Sequence, residues 1–203
     1  MGPTDFFESS AWACGFRRIA GLDEAGRGPL AGPVIAAVVI LPRRIYFDDL
    51  DDSKLLSENQ RNTLFTAITT QARAWGVGAA SEQEIDEFNI LGATRLAGYR
   101  AFNQIAFPPD YLLLDALHLP TISVRQRAVI KGDQLSISIA AASILAKVSR
   151  DRIMATYHAR YPDYQFDLHK GYPTPEHLKR LRQFGPCPGH RRSFRPVQAC
   201  LNG

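Results

Sequence analysis

The sequence predicts an α/β protein with a mixed β-sheet in one domain. Short apolar runs that suit buried strands alternate with longer segments whose apolar residues recur at helical spacing. The 203 residues, 45% of them hydrophobic, are sufficient for one large domain with a substantial core. The sequence shows neither an internal repeat nor a low-complexity linker, so a repeat architecture is excluded.

Four segments are predicted strands. Residues 34–41 form a continuous apolar run rich in β-branched side chains, and Pro42 closes it, which is typical of a buried strand. Shorter apolar runs at residues 19–22, 74–80 and 111–114 are the other candidates. The first and last of these runs are followed directly by acidic residues.

Four segments are predicted helices. Residues 57–73 and 91–106 carry apolar side chains at helical spacing. Residues 136–161 form a long segment rich in alanine, the residue with the highest helix propensity. A last helix is expected to begin at Pro175, because proline is favoured at the first position of a helix.

Three regions are expected along the chain. Residues 1–17 are assigned to an N-terminal tail and residues 18–162 to the main α/β domain. Residues 163–203 are predicted to form a small helical extension of that domain.

The charge distribution permits a nucleic-acid partner without requiring one. The formal net charge is +4, and the basic residues are concentrated in the C-terminal third. No apolar run is long enough to span a bilayer, and the N-terminus, with Asp5 and Glu8, does not resemble a signal peptide. The three cysteines have no spacing typical of a zinc site or a disulfide framework. We therefore expect a cytoplasmic protein.

Four carboxylates are the candidates for chemistry. Asp23 and Glu24 follow one predicted strand, Asp115 follows another, and Asp133 precedes the long alanine-rich helix. If these side chains converge, their mutual repulsion favours binding of hard divalent cations such as Mg²⁺ or Mn²⁺. Each acid alone also has an ordinary explanation, as a solvated turn residue or a helix cap, and spacing does not show convergence.

Several motifs resemble those of the ribonuclease HII family. The longest is Gly-Leu-Asp-Glu-Ala-Gly-Arg-Gly-Pro-Leu-Ala-Gly-Pro-Val at residues 21–34. Further matches are Asp-Ser-Lys at 52–54, Leu-Leu-Asp-Ala at 113–116 and Lys-Gly-Asp at 131–133. The helix segment at 139–148, Lys-Gly-Tyr-Pro-Thr at 170–174 and His-Arg-Arg-Ser-Phe at 190–194 complete the series.

The resemblance implies a fold and an activity. The fold would be ribonuclease H-like, with a mixed sheet flanked by helices. Asp23, Glu24, Asp115 and Asp133 would hold two Mg²⁺ or Mn²⁺ ions for phosphodiester hydrolysis. The substrates would be RNA–DNA hybrids and duplex DNA that contains ribonucleotides. The cut would fall 5′ to a ribonucleotide and leave a 3′-hydroxyl and a 5′-phosphate, as needed in ribonucleotide removal and DNA repair.

The resemblance also assigns substrate contacts. The turn Gly26, Arg27 and Gly28 would recognise the ribose 2′-hydroxyl, the group that separates RNA from DNA. Tyr172 would stack on the sugar after the junction. The alternatives are a tight turn whose Arg27 binds only phosphate, and an aromatic ring packed against the last helix.

Three further residues are candidate phosphate contacts: Lys54, Ser143 and Lys147. The alternative for each lysine is an ordinary solvated charge, and Ser143 would otherwise bond to the backbone of its own helix. Other functions also remain open from the residues alone. These are a hybrid-binding module without catalysis, a general two-metal DNA nuclease and a metabolic phosphatase. We expect the protein to act as a monomer.

Overall fold

The computed structural model describes residues 2–51, 53 and 55–201, which fold around one five-stranded sheet in the order β3-β2-β1-β4-β5. The pairs β1–β2 and β2–β3 are antiparallel, and β1–β4 and β4–β5 are parallel. The predicted mixed sheet is therefore confirmed. The strands are β1 Ile19–Ala25, β2 Val34–Ile40, β3 Ala74–Ala80, β4 Tyr111–Asp115 and β5 Arg125–Val129.

Eight α-helices accompany the sheet in the described residues. They are α1 Phe6–Ala13, α2 Glu58–Gln71, α3 Glu82–Gln104, α4 Gly132–Leu135, α5 Ile137–Arg160, α6 Phe166–His169, α7 Pro175–Phe184 and α8 Arg195–Leu201. A short 3₁₀ helix, Pro162–Tyr164, follows α5. None of these helices is long and apolar enough to cross a membrane.

Helices cover both faces of the sheet, because successive side chains on a strand point to opposite sides. On one face, Ala20 and Leu22 of β1 join a buried cluster with residues of α3. On the other face α5 lies directly against β1, since a side chain at Gly21 would overlap the backbone of Ser138. This close approach brings residues of α5 beside the acidic end of β1.

The strand and helix predictions differ from the structure in several places, besides the helices α1 and α4 that no segment prediction included. The structure continues β1 through Asp23 and Glu24, which the sequence placed after the strand, because β1 pairs with β2 as far as Ala25. It adds β5, which no prediction included. It also begins α3 nine residues earlier than predicted and kinks it at Asn89, whose φ is +58°. The side chain of Asn89 caps the part of α3 that the sequence predicted.

The N-terminal region contains a helix that packs on the sheet. Glu8 of α1 is buried, and its Oε1 accepts hydrogen bonds from Ser136 Oγ at 2.5 Å and from the Ser138 N–H at 2.9 Å. The carboxylate thus lies at the start of α5, where it balances the positive end of the helix dipole. The division at residues 17 and 162 stays a prediction.

Candidate active site

Asp23 and Glu24 lie side by side at the end of the central strand β1. Asp23 is buried, and its Oδ1 accepts a hydrogen bond from the Glu24 N–H at 2.7 Å. Burial raises the pKa of the Asp23 carboxyl well above its ordinary value, and the nearby charges of Glu24 and Asp115 raise this pKa further. A hydrogen bond with Ser143 opposes the rise. Three carboxylates from two strands therefore interact at this sheet end.

Asp115 reaches the same place because β4 runs parallel to β1. Leu22 pairs with Leu114, so the residue after each lies at the same end of the sheet. The Asp115 Oδ1 accepts a hydrogen bond from the Gly132 N–H at 2.7 Å, which ties β4 to α4. Asp133 is the next residue in α4 and is buried.

Asp23, Glu24 and Asp115 border a cleft of about 600 Å³. Most of the predicted site residues line it, whereas Asp133 is not among the described lining residues. Lys54 lies outside the described residues. The lining residues are Asp23, Glu24, Ala25, Gly26, Arg27, Gly28, Ser53, Arg61, Asp115, Ser143, Lys147 and Tyr172.

The glycine–arginine–glycine turn forms one wall of the cleft. Gly26 has a φ of +99°, which glycine adopts without strain, and a side chain there would overlap the guanidinium of Arg150. Arg27 donates from Nη1 to the Glu24 Oε1 at 3.1 Å. At the far side of the turn, a Cβ on Gly28 would lie 3.7 Å from the ring of Tyr172. The turn thus lies between the acids and the half-exposed tyrosine ring.

The opposite wall comes from α5 and the loop before α2. Ser143 Oγ lies 3.0 Å from Ser53 Oγ, so the two hydroxyls join α5 to this loop. The ammonium of Lys147 donates to Asp151 at 2.7 Å, and burial lowers the pKa of this lysine. Arg61, which the sequence analysis missed, holds the loop by donating to the carbonyl of Ser53 at 3.0 Å.

Comparison with known proteins assigns the chain to a family. The family model described as Ribonuclease HII matches residues 20–197. The chain belongs to the ribonuclease HII family. A curated ribonuclease HII from Ruminiclostridium cellulolyticum is 53% identical over 188 residues, which are 93% of this chain and 74% of that protein. The resemblance seen in the motifs is confirmed, and the ribonuclease HII chain is an endonuclease that degrades RNA in RNA–DNA hybrids.

Solved structures share the fold of this ribonuclease HII. Ribonuclease H2 from Pyrococcus horikoshii OT3 has a TM-score of 0.77 at 24% identity and covers 92% of this chain and 98% of its own. Bst-RNase HIII, solved in complex with Mn²⁺, has a TM-score of 0.73 at 16% identity, covering 91% of this chain and 69% of its own. The ribonuclease H-like fold is thereby confirmed.

Two buried arginines, both missed by the sequence analysis, support the glycine turn of this ribonuclease HII. Arg150 donates to the carbonyls of Ala31, Pro33 and Lys170 at 2.9 to 3.1 Å. Arg191 donates to the carbonyls of Gly26, Arg27 and Gly32 at 2.6 to 3.0 Å. Burial and then the charge of Arg150 lower the pKa of Arg191 to about 9. For Arg191, the only signal in the sequence was the family motif at residues 190–194.

A cluster of histidines lies behind Tyr172. His177 Nδ1 is 2.8 Å from the Tyr172 carbonyl, and His177 Nε2 is 3.1 Å from His190 Nε2. Burial lowers the pKa of His177 to about 4. Burial, and after it the charge of His177, lowers the pKa of His190 to about 3. Both imidazoles are therefore neutral at neutral pH, and both lie buried in the core.

The two lowered histidine pKa values predict a loss of stability in acid. Between pH 6.5, the ordinary pKa, and about pH 4, the unfolded chain binds protons at His177 and His190 that the folded chain does not. The free energy of unfolding should fall as the pH falls through this window, by roughly 1.4 kcal/mol per pH unit and per histidine. Urea unfolding of wild type and His177→Gln at several pH values measures it. Equal pH slopes in the two proteins would contradict the assignment.

Proposed function

We propose that this ribonuclease HII, besides degrading RNA in hybrids, cuts duplex DNA 5′ to a single embedded ribonucleotide and leaves a 3′-hydroxyl and a 5′-phosphate. One observation carries this proposal. The interacting carboxylates, the glycine–arginine–glycine turn and Tyr172 line the same cleft. A group that senses the 2′-hydroxyl thus lies beside groups suited to phosphodiester hydrolysis. The corresponding biological role is the removal of ribonucleotides from DNA during repair and replication.

We further propose that Asp23, Glu24, Asp115 and Asp133 hold two divalent ions, Mg²⁺ or Mn²⁺. The donor set fits because carboxylate oxygens suit these hard cations. Nearby cations would offset the burial and the repulsion by Glu24 and Asp115 that together raise the pKa of Asp23. The described residues hold no ready-made group of three metal-binding side chains. When bound, such ions supply an activated water and stabilise the leaving oxygen.

The chain's own groups would orient the substrate. The backbone of Gly26, Arg27 and Gly28 would approach the ribose 2′-hydroxyl, as the absence of side chains on both glycines allows. The ring of Tyr172 would pack on the sugar after the junction. Lys54, Ser143 and Lys147 would contact phosphates. Ser143 already bonds Ser53 and Asp23, which supports a role in orienting the acid as well.

The proposal is tested with a labelled DNA duplex that contains one ribonucleotide. Incubation with Mg²⁺, Mn²⁺ or a chelator, beside an all-DNA duplex, should give one metal-dependent cut 5′ to the ribonucleotide and leave the control intact. Cutting of the all-DNA duplex would indicate a general two-metal nuclease. A well-folded protein that cuts neither the single-ribonucleotide duplex nor a hybrid would instead behave as a hybrid-binding module.

Tyr172→Ala is expected to lower kcat/KM on the single-ribonucleotide duplex about fivefold, since an aromatic contact contributes about 1 kcal/mol beyond burial. Tyr172→Phe keeps the ring and should retain the preference. Tyr99 is a matched control, because its 42% exposure resembles the 43% of Tyr172 and it does not line the cleft. An unchanged preference for the ribonucleotide in Tyr172→Ala would refute the stacking role.

We also propose that the enzyme acts as a monomer in the cytoplasm. Cys14, Cys187 and Cys200 are free thiols, as is usual in a reducing compartment. Light scattering of the purified protein at several concentrations tests the monomer directly.

A further inference from the structure

The segment 189–191 makes contacts that lead both to the glycine turn and to Tyr172. The Gly32 N–H donates to the Gly189 carbonyl at 2.9 Å, and the Arg191 N–H donates to the Leu30 carbonyl at 2.8 Å. Ala31 and His190 form an isolated antiparallel bridge between these bonds. The segment is therefore extended and tied by its backbone to the residues that follow the turn.

Adjacent side chains on an extended segment point in opposite directions. Arg191 extends to the turn and donates to the carbonyls of Gly26 at 2.6 Å and Arg27 at 3.0 Å. His190 extends to His177, which contacts the carbonyl of Tyr172. One short segment is thus connected both to the turn and, through His177, to Tyr172. Neither His190 nor Arg191 is among the lining residues of the cleft.

The histidine contacts are consistent with a single set of tautomers. The Tyr172 carbonyl only accepts, so His177 must carry its proton on Nδ1 and accept at Nε2. His190 must then donate from Nε2, which leaves its Nδ1 to accept from the Cys187 N–H at 3.1 Å. Every ring nitrogen in this chain of bonds has a defined role, so the chain orients the carbonyl of Tyr172 together with the Thr174 N–H, which donates to the same oxygen at 2.8 Å.

We propose that His190 and Arg191, with His177, are positioning residues that fix the distance between Tyr172 and the Gly26–Arg27 turn and thereby set selectivity for a single ribonucleotide. This inference rests on the proposed function. A ribonucleotide and a deoxyribonucleotide differ by one oxygen atom, so discrimination requires groups held at fixed positions around it. An unsupported loop and an exposed tyrosine ring do not provide this rigidity by themselves.

Two substitutions of His177 separate positioning from general stability. In His177→Asn the side-chain amide lies near the Nδ1 position and retains a donor for the Tyr172 carbonyl. In His177→Gln the amide lies near the Nε2 position and retains only the contact with His190. Each variant keeps one of the two bonds in the same buried position, so they form a matched pair.

The measured quantity is a selectivity ratio, defined as kcat/KM on the single-ribonucleotide duplex divided by kcat/KM on a uniform RNA–DNA hybrid. His177→Gln is expected to lower this ratio by about tenfold or more, because small misplacements of substrate-positioning groups have large effects on rate. His177→Asn keeps the donor for the Tyr172 carbonyl but breaks the bond with His190, so it should lower the ratio by a smaller factor, and a wild-type ratio in this variant would overturn the role of His190. Equal ratios in the two folded variants would overturn the proposal.

Two further measurements apply if His177→Gln does not fold. Arg191→Lys keeps the buried charge but cannot reach the same carbonyls, and it should lower the ratio in the same way; a wild-type ratio would overturn the proposal. Nitrogen NMR of histidine-labelled wild type should show His177 protonated at Nδ1 and His190 at Nε2, and the opposite tautomers would overturn it. Failure of the proposed function looks different, since wild type would then make no cut 5′ to the ribonucleotide.

Discussion

Asp115→Asn is expected to reduce turnover by roughly a thousandfold or more, because it removes one carboxylate from the proposed ion-binding set. The fold should survive, since the Asn Oδ1 can still accept the hydrogen bond that Asp115 takes from the Gly132 N–H. The change also removes one of the charges that raise the pKa of Asp23. Without metal, the variant should therefore be at least as resistant to unfolding as wild type.

Asp110→Asn is the matched control. Asp110 precedes the opposite end of the same strand, β4, where its carboxylate accepts from the N–H groups of Arg17 and Arg18. Turnover on an RNA–DNA hybrid should collapse in Asp115→Asn and persist in Asp110→Asn. Mn²⁺ should raise the Tm of wild type and of the control more than that of Asp115→Asn. A folded Asp115→Asn enzyme with near-normal turnover would rule out a ligand role for Asp115.

The position of the acids shows how far the sequence alone could lead. Apolar runs that end in Asp23 and Asp115 are visible in the sequence, and they correctly indicated strands. Their convergence depends on β1 and β4 being parallel neighbours, with Leu22 opposite Leu114. Strand order and register are set by tertiary packing, so no local pattern contains them. The family resemblance supplied what periodicity did not.

The missed strand β5 has a similar physical explanation. Its sequence, Arg-Gln-Arg-Ala-Val, lacks the apolar alternation of a core strand because it lies at the edge of the sheet. Arg125 and Arg127 lie over the rings of Phe16 and Phe7, which belong to the N-terminal region. The strand therefore depends on contacts with a distant segment that its own sequence does not reveal.

The buried arginines were missed because composition suggested another role. In a basic C-terminal region, an arginine such as Arg191 is most simply interpreted as a phosphate contact. The structure instead buries Arg191 and Arg150 among backbone carbonyls of the loop between β1 and β2. An irregular loop that packs inside the protein leaves carbonyls without strand partners, and guanidinium groups supply several donors at once.

This packing makes Gly26→Ala the second substitution with a large expected effect. Gly26 has a φ of +99°, where a Cβ costs roughly 1–2 kcal/mol. The added methyl would also overlap Arg150, which is held by three carbonyls and cannot easily move. Overpacking of a buried site adds about 1–3 kcal/mol. The same collision would displace the turn relative to Tyr172, so activity on the single-ribonucleotide duplex should fall together with the free energy of unfolding.

Gly15→Ala separates backbone strain from the collision with Arg150. Gly15 has nearly the same conformation, with a φ of +94°, but a Cβ there meets no atom within 4 Å. Urea unfolding should therefore show a clearly larger loss of stability for Gly26→Ala than for Gly15→Ala, and only Gly26→Ala should lower kcat/KM on the single-ribonucleotide duplex. Equal losses in the two variants would mean that Arg150 yields to the methyl group, and the loop would then be less rigid than its hydrogen bonds indicate. A larger loss with unchanged selectivity would instead separate the stability of the turn from its proposed role in recognition.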